Sequence, residues 1–137
     1  MTLREIIERC SMLRVDEVRC DSDKYHELVF CGEDIDEWHR IFADVLGPAV
    51  KPAGKKPTKD HWRLTKDYGG VWASQTLFKK EFEDCTVIAM FWPWQDGIHV
   101  TLKMALLEKQ KSGVKLSVPM ARVPFAGLRA WLEKSLF

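Results

Sequence analysis

Apolar positions in the first thirteen residues recur every three or four places. Leu3, Ile6, Ile7, Cys10 and Leu13 fall on one side of a helix, with Arg4, Glu5, Glu8 and Arg9 opposite. Thr2-Leu3-Arg4-Glu5 has the form of a capping box, Thr2 accepting from the Glu5 amide while the Glu5 side chain reaches back, so the helix starts at once. From 15 to 31 the helical spacing fades. Asp21-Ser22-Asp23-Lys24 is turn chemistry and Tyr25-His26-Glu27-Leu28-Val29-Phe30-Cys31 suits a strand, which together predict a hairpin. Asp34, with Glu37 three residues on, opens a second helix whose apolar side is Ile35, Trp38, Ile41, Phe42, Val45 and Leu46, and Gly47-Pro48 ends it.

Segment 49–67 holds Pro52, Gly54 and Pro57 with almost no periodicity, and reads as a long mobile loop. Over 70–118 β-branched and aromatic residues dominate, with turn signals at Glu83-Asp84, Asp96-Gly97 and Ser112-Gly113, which predicts a four-strand antiparallel meander. A last helix starts at Pro124 and sets Phe125, Leu128, Trp131, Leu132 and Leu136 on one side. The order predicts one α+β domain over 1–137: two layers, a mainly antiparallel sheet with three helices covering it.

Register sharpens the picture. A two-residue loop at Asp96-Gly97 sets Phe91 opposite Leu102, Ala89 opposite Met104 and Val87 opposite Leu106, which is a core face. The reverse face then pairs Trp94 with His99, Trp92 with Thr101, Met90 with Lys103 and Ile88 with Ala105. Turning through Glu83-Asp84 sends Trp72, Phe78 and Phe82 to the core and leaves Val71, Ala73, Gln75, Leu77 and Lys79 beside Trp92 and Met90; a loop one residue longer would invert every assignment. A reverse face carrying Leu77, Ile88, Met90, Trp92 and Trp94 is too apolar to lie bare in water. Its cover is a helix of the same chain, a second copy stacked symmetrically, or a ligand in a cleft floored by Trp92, Trp94, His99, Thr101 and Lys103.

Composition adds limits. The 137 residues, 46% hydrophobic and 30% charged, suffice for a core without disulfides or metals, which excludes disorder and a mini-protein scaffold. The longest uncharged stretches, 68–78 and 85–95, have 11 residues each, too few to span a membrane. Residues 1–10 carry four charges and no small-residue cleavage site, so they read as mature protein in the cytoplasm. Cys10, Cys20, Cys31 and Cys85, spaced by 10, 11 and 54, match neither a redox pair nor a zinc framework; they read as reduced structural thiols, Cys20 the most exposed.

Charge is uneven. Lys51, Lys55, Lys56, Lys59, Arg63 and Lys66 against Asp60 give 51–66 a net +5, so the rest of the chain carries −4 of the total +1. Trp62 adds a ring able to stack on a base, which makes this loop a candidate anion-binding segment. Gly54-Lys55-Lys56 is not a phosphate loop: Ala49 and Lys56 stand where Gly and Ser or Thr belong, and Pro52 lies inside. His26, His39, His61 and His99 show no metal-site spacing; His39 reads as exposed, and only His99 falls near polar groups, Thr101 and Lys103. The first reading is therefore a binding protein without catalytic machinery, cofactor or metal, using Met90, Trp92, Trp94, His99, Thr101 and Lys103 for a protein partner, a homodimer or a small apolar ligand. The alternative is a nucleic-acid or polyanion binder through Lys51, Lys55, Lys56, Lys59, Trp62, Arg63 and Lys66, and the second alternative a small enzyme on His99 and Lys103.

Overall fold

The structure is a computed structural model and describes residues 1–108 of the chain. Helix α1 (Leu3–Arg9) begins with the expected box: Thr2 Oγ1 accepts from the Glu5 amide at 3.1 Å, and the Thr2 amide donates to Glu5 Oε1 at 2.7 Å. Strands β1 (Glu17–Asp21) and β2 (Tyr25–Cys31) form the hairpin, followed by α2 (Ile35–Leu46), α3 (Lys59–Thr65), β3 (Thr76–Glu81), β4 (Cys85–Pro93) and β5 (His99–Glu108). The sheet is open, antiparallel throughout, in the order β1-β2-β5-β4-β3. Both predicted registers hold: Phe91 pairs with Leu102, Ala89 with Met104, and Leu77 with Met90.

Three strands of the predicted meander are described, β3, β4 and β5, and the fourth, after Ser112-Gly113, lies outside the described residues. The edge of β5 away from β4 is occupied by β2 from Tyr25 to Cys31. Residues 109–137, and with them the Ser112-Gly113 turn and the helix expected from Pro124, lie outside the described residues.

Helices α1 and α2 cover one face of the sheet. Leu3, Ile6, Trp38, Phe42, Val45 and Leu46 meet Leu28, Phe30, Phe78, Val87, Phe91, Leu102 and Met104, all buried. Phe91 is the hub, with Phe30, Phe42 and Phe78 set edge-on at 6.0, 5.3 and 5.8 Å. His39 belongs here too: it is half-buried, not exposed, its ring edge-on to Phe91 at 4.6 Å and to Phe78 at 5.7 Å.

The third helix is the main departure. Segment 49–67 is anchored, because Val50 and Lys51 bond to Leu77 along the outer edge of β3 and residues 59–65 form α3. Thr58 Oγ1 accepts from the His61 amide at 3.1 Å and His61 Nδ1 accepts from the Thr58 amide at 3.1 Å, a capping box with histidine in place of glutamate. The segment that follows lies over the reverse face, where Val71 joins Leu77, Ile88, Met90 and Ala105 in a second buried cluster flanked by Tyr25, Tyr68, Trp92 and Leu107. The chain thus covers much of its own apolar face.

Candidate functional site

Of the six residues expected on an open sheet face, four are withdrawn from it. Met90, packed with Val71, and Thr101, opposite Trp92 across the strand pair, are buried, with 1% and 4% exposure. Trp92 is half-buried against Gly69, and Lys103 Nζ lies 3.7 Å from the Trp92 ring centre while donating to the Tyr68 carbonyl at 3.1 Å. Burial holds the Lys103 ammonium below the ordinary lysine range. Trp94 and His99 reach the surface, and they are already paired. Trp94 Nε1 donates to Thr101 Oγ1 at 2.7 Å, the Arg19 guanidinium lies 5.5 Å from the Trp94 ring centre, and His99 Nδ1 meets Asp96 Oδ2 at 2.7 Å. That carboxylate is one the sequence reading missed. It also accepts from the Ile98 and His99 amides, and with the His99 side chain these bonds hold the Asp96 carboxyl down at about 2. His99 and Lys103 are four residues apart along β5, about 13 Å of strand, so they do not converge on one reacting atom.

The basic segment is rearranged in a different way. Lys51 is 1% exposed and does not belong to the anion-binding set: its Nζ donates to the carbonyls of Pro52, Ala73 and Gln75. It acts as a staple inside the fold, its ammonium held below the ordinary lysine range by burial. The other five cations remain outside, with Lys55, Lys56, Lys59 and Arg63 exposed and Lys66 half-buried. Lys59, Arg63 and Lys66 share one side of α3 and its extension, together with Trp62. Pro57, Thr58, Lys59, Trp62, Arg63 and Lys66 line a surface depression of about 430 Å³.

A second tryptophan joins them. Trp72, which the register sends to the core, lies before β3 begins at Thr76 and is 59% exposed. It stands edge-on to Trp62, which is 41% exposed, with ring centres 6.5 Å apart and planes at 77°. The Trp62 indole is held from beneath. The Trp62 ring lies on Gly70, where a Cβ would come within 2.0 Å of it. Trp72 opens a turn closed by the Gln75 amide donating to the Trp72 carbonyl at 3.0 Å and by Gln75 Oε1 accepting from the Trp72 amide at 2.9 Å. The Gly54 amide donates to the Ala73 carbonyl at 2.7 Å, tying the segment before Lys55 to the Trp72 turn.

A larger hollow, about 520 Å³, lies between α1 and the β1–β2 turn, lined by Arg4, Lys24, Asp21, Asp23 and His26, with His26 Nδ1 3.3 Å from Asp21 and no tryptophan in its wall. Cys10 and Cys85 are buried, Cys20 and Cys31 half-buried, and burial pushes the Cys10 thiol up to about 11. Among the described residues no three His, Cys, Asp or Glu side chains are grouped to hold a metal ion, and no helix is long and apolar enough to cross a membrane. In comparisons with protein-family models, curated proteins and solved structures, nothing matches this chain.

Proposed function

We propose that this chain is a binding protein that recognises an anionic polymer through the outer side of α3 and the Trp72 turn. The observation that carries the reading is the exposed Trp62–Trp72 pair, with Lys59, Arg63 and Lys66 on the same side of α3 and its extension as Trp62. With Lys51 inside the fold, 55–66 still carries a net +4 against the single carboxylate of Asp60, which is engaged by Arg63 at 3.0 Å. Lysines and arginines on one surface release counterions from a polyanion, and the attraction needs no sequence-specific contact. The sheet-face residues serve this reading less well, because Trp94, His99 and Lys103 are already engaged by Thr101, Asp96 and the Tyr68 carbonyl.

Retention on an immobilised sulfated polysaccharide at low salt tests the reading. Lys59→Glu with Arg63→Glu should abolish retention, while Arg4→Glu with Lys80→Glu, the same change in net charge elsewhere on the surface, should leave most of it. Equal loss in both variants would mean that net charge alone, and not this face, accounts for binding.

A further inference from the structure

We infer that the polymer this face takes is a single-stranded nucleic acid, an inference that rests on the polyanion reading above and names its ligand. Charge alone does not call for two large rings held at the surface. Trp62 and Trp72 leave 41% and 59% of their area in water although the sheet face that they adjoin buries residues as large as Met90 almost completely. The Trp62 ring is fixed by Gly70 beneath it and loses little freedom when a flat partner arrives, and the closed turn holds the backbone that carries Trp72. Flat, sequence-tolerant partners for an indole face are nucleobases, and the anions beside them are phosphates.

The angle between the rings selects the strand state. At 77° to each other, the two indoles cannot stack on successive bases that remain parallel. A duplex keeps its bases parallel and paired, with their faces hidden, whereas a single strand can splay one base onto each ring. The cationic stripe from Lys59 to Lys66 runs about 10 Å, enough to follow a few phosphates, so the site is short and engages about two bases.

The test uses the whole chain and three probes: a fluorescein-labelled twelve-nucleotide single strand of mixed sequence, the same strand annealed to its complement, and inorganic polyphosphate as competitor. Fluorescence anisotropy in low salt should show the single strand binding tightest. Its affinity should fall with salt with a log–log slope of up to about −3.5, some −0.7 for each of as many as five phosphates neutralised. Trp72→Ala should weaken the single strand by roughly 5- to 140-fold and leave the salt slope unchanged, since the ring carries no charge. Arg63→Gln should instead lower the slope by about 0.7. If duplex and polyphosphate bind as well as the single strand and Trp72→Ala changes nothing, the inference is overturned while the polyanion reading stands. Failure of all three probes to bind overturns both. Should Trp72→Ala lose its native circular dichroism, the comparison of single strand with duplex on the parent chain still decides.

Discussion

Replacing Gly70 by Ala asks whether the Trp62 indole is fixed by the backbone beneath it. Gly70 has φ +77° and a Cβ there would meet Trp62 Cζ3 at 2.0 Å. The left-handed backbone costs an alanine about 1–2 kcal/mol. Forcing the rigid ring aside adds about 1–3 kcal/mol of overpacking, so the whole penalty is about 2–5 kcal/mol. Gly54 separates the two contributions, since its φ is +93° but nothing lies within 4 Å of the position a Cβ would take. An unfolding entropy of about 2.1 cal/mol/K per residue over 137 residues makes 1 kcal/mol worth roughly 3.5 °C in Tm. Gly70→Ala should therefore melt about 7–17 °C below the parent and Gly54→Ala about 4–7 °C below it. Trp62→Ala combined with Gly70→Ala should be less damaging than the sum of the two changes, by about 1 kcal/mol or more, because the clash has lost one partner. Calorimetric melts of the four variants supply every number. Equal Tm values for Gly70→Ala and Gly54→Ala, with additivity in the double variant, would refute the claim that the ring is pinned.

Phe91→Ala, at the aromatic hub of the core, should cost about 3–5 kcal/mol in urea denaturation, and a loss under about 1 kcal/mol would contradict the face assignment. Lys51→Met should cost about 1–3 kcal/mol by taking the ammonium donor from the buried Gln75 carbonyl, and it should loosen the Trp72 turn, seen as faster amide exchange at Gln75; unchanged exchange there would contradict the staple. Burial holds the His39 imidazole below the ordinary histidine range, against a smaller opposite pull from Asp36. The unfolded chain then binds the proton first, so stability falls as pH drops from the ordinary histidine value toward the lowered folded one, and levels off below it. His39→Leu should flatten that part of the profile in urea midpoints taken between about pH 7 and pH 5, and an unchanged slope would show that His39 does not contribute.

The strands and the two covering helices were legible because their signals are local and periodic. Two-residue turns set the pairing of Phe91 with Leu102 and of Leu77 with Met90. The cover of the reverse face was not legible, since it is built by a segment without periodicity whose helix is only seven residues long. Thr58-Lys59-Asp60-His61 did carry a start signal, hidden because histidine stands where a capping box usually has glutamate. The basic charge of 51–66 was plain in the sequence, but charge alone does not reveal that Lys51 folds inward to bond three carbonyls. Trp72 was misplaced because alternation was extended past the strand's first residue, Thr76, into a turn whose conformation obeys no period of two. The Asp96 carboxylate on His99 was missed for a related reason: it lies in the turn, outside the strand positions that register arithmetic follows.

Indole proton–nitrogen correlation spectra test the central claim most directly, because each of the six tryptophans of the chain reports from its own position. Titration with a short single-stranded oligonucleotide in low salt should move the Trp62 and Trp72 indole signals and leave those of Trp38 in the core and Trp94 at the β4–β5 turn in place. Movement of Trp94 with Trp62 and Trp72 unmoved would contradict the account and return the recognition surface to the sheet face.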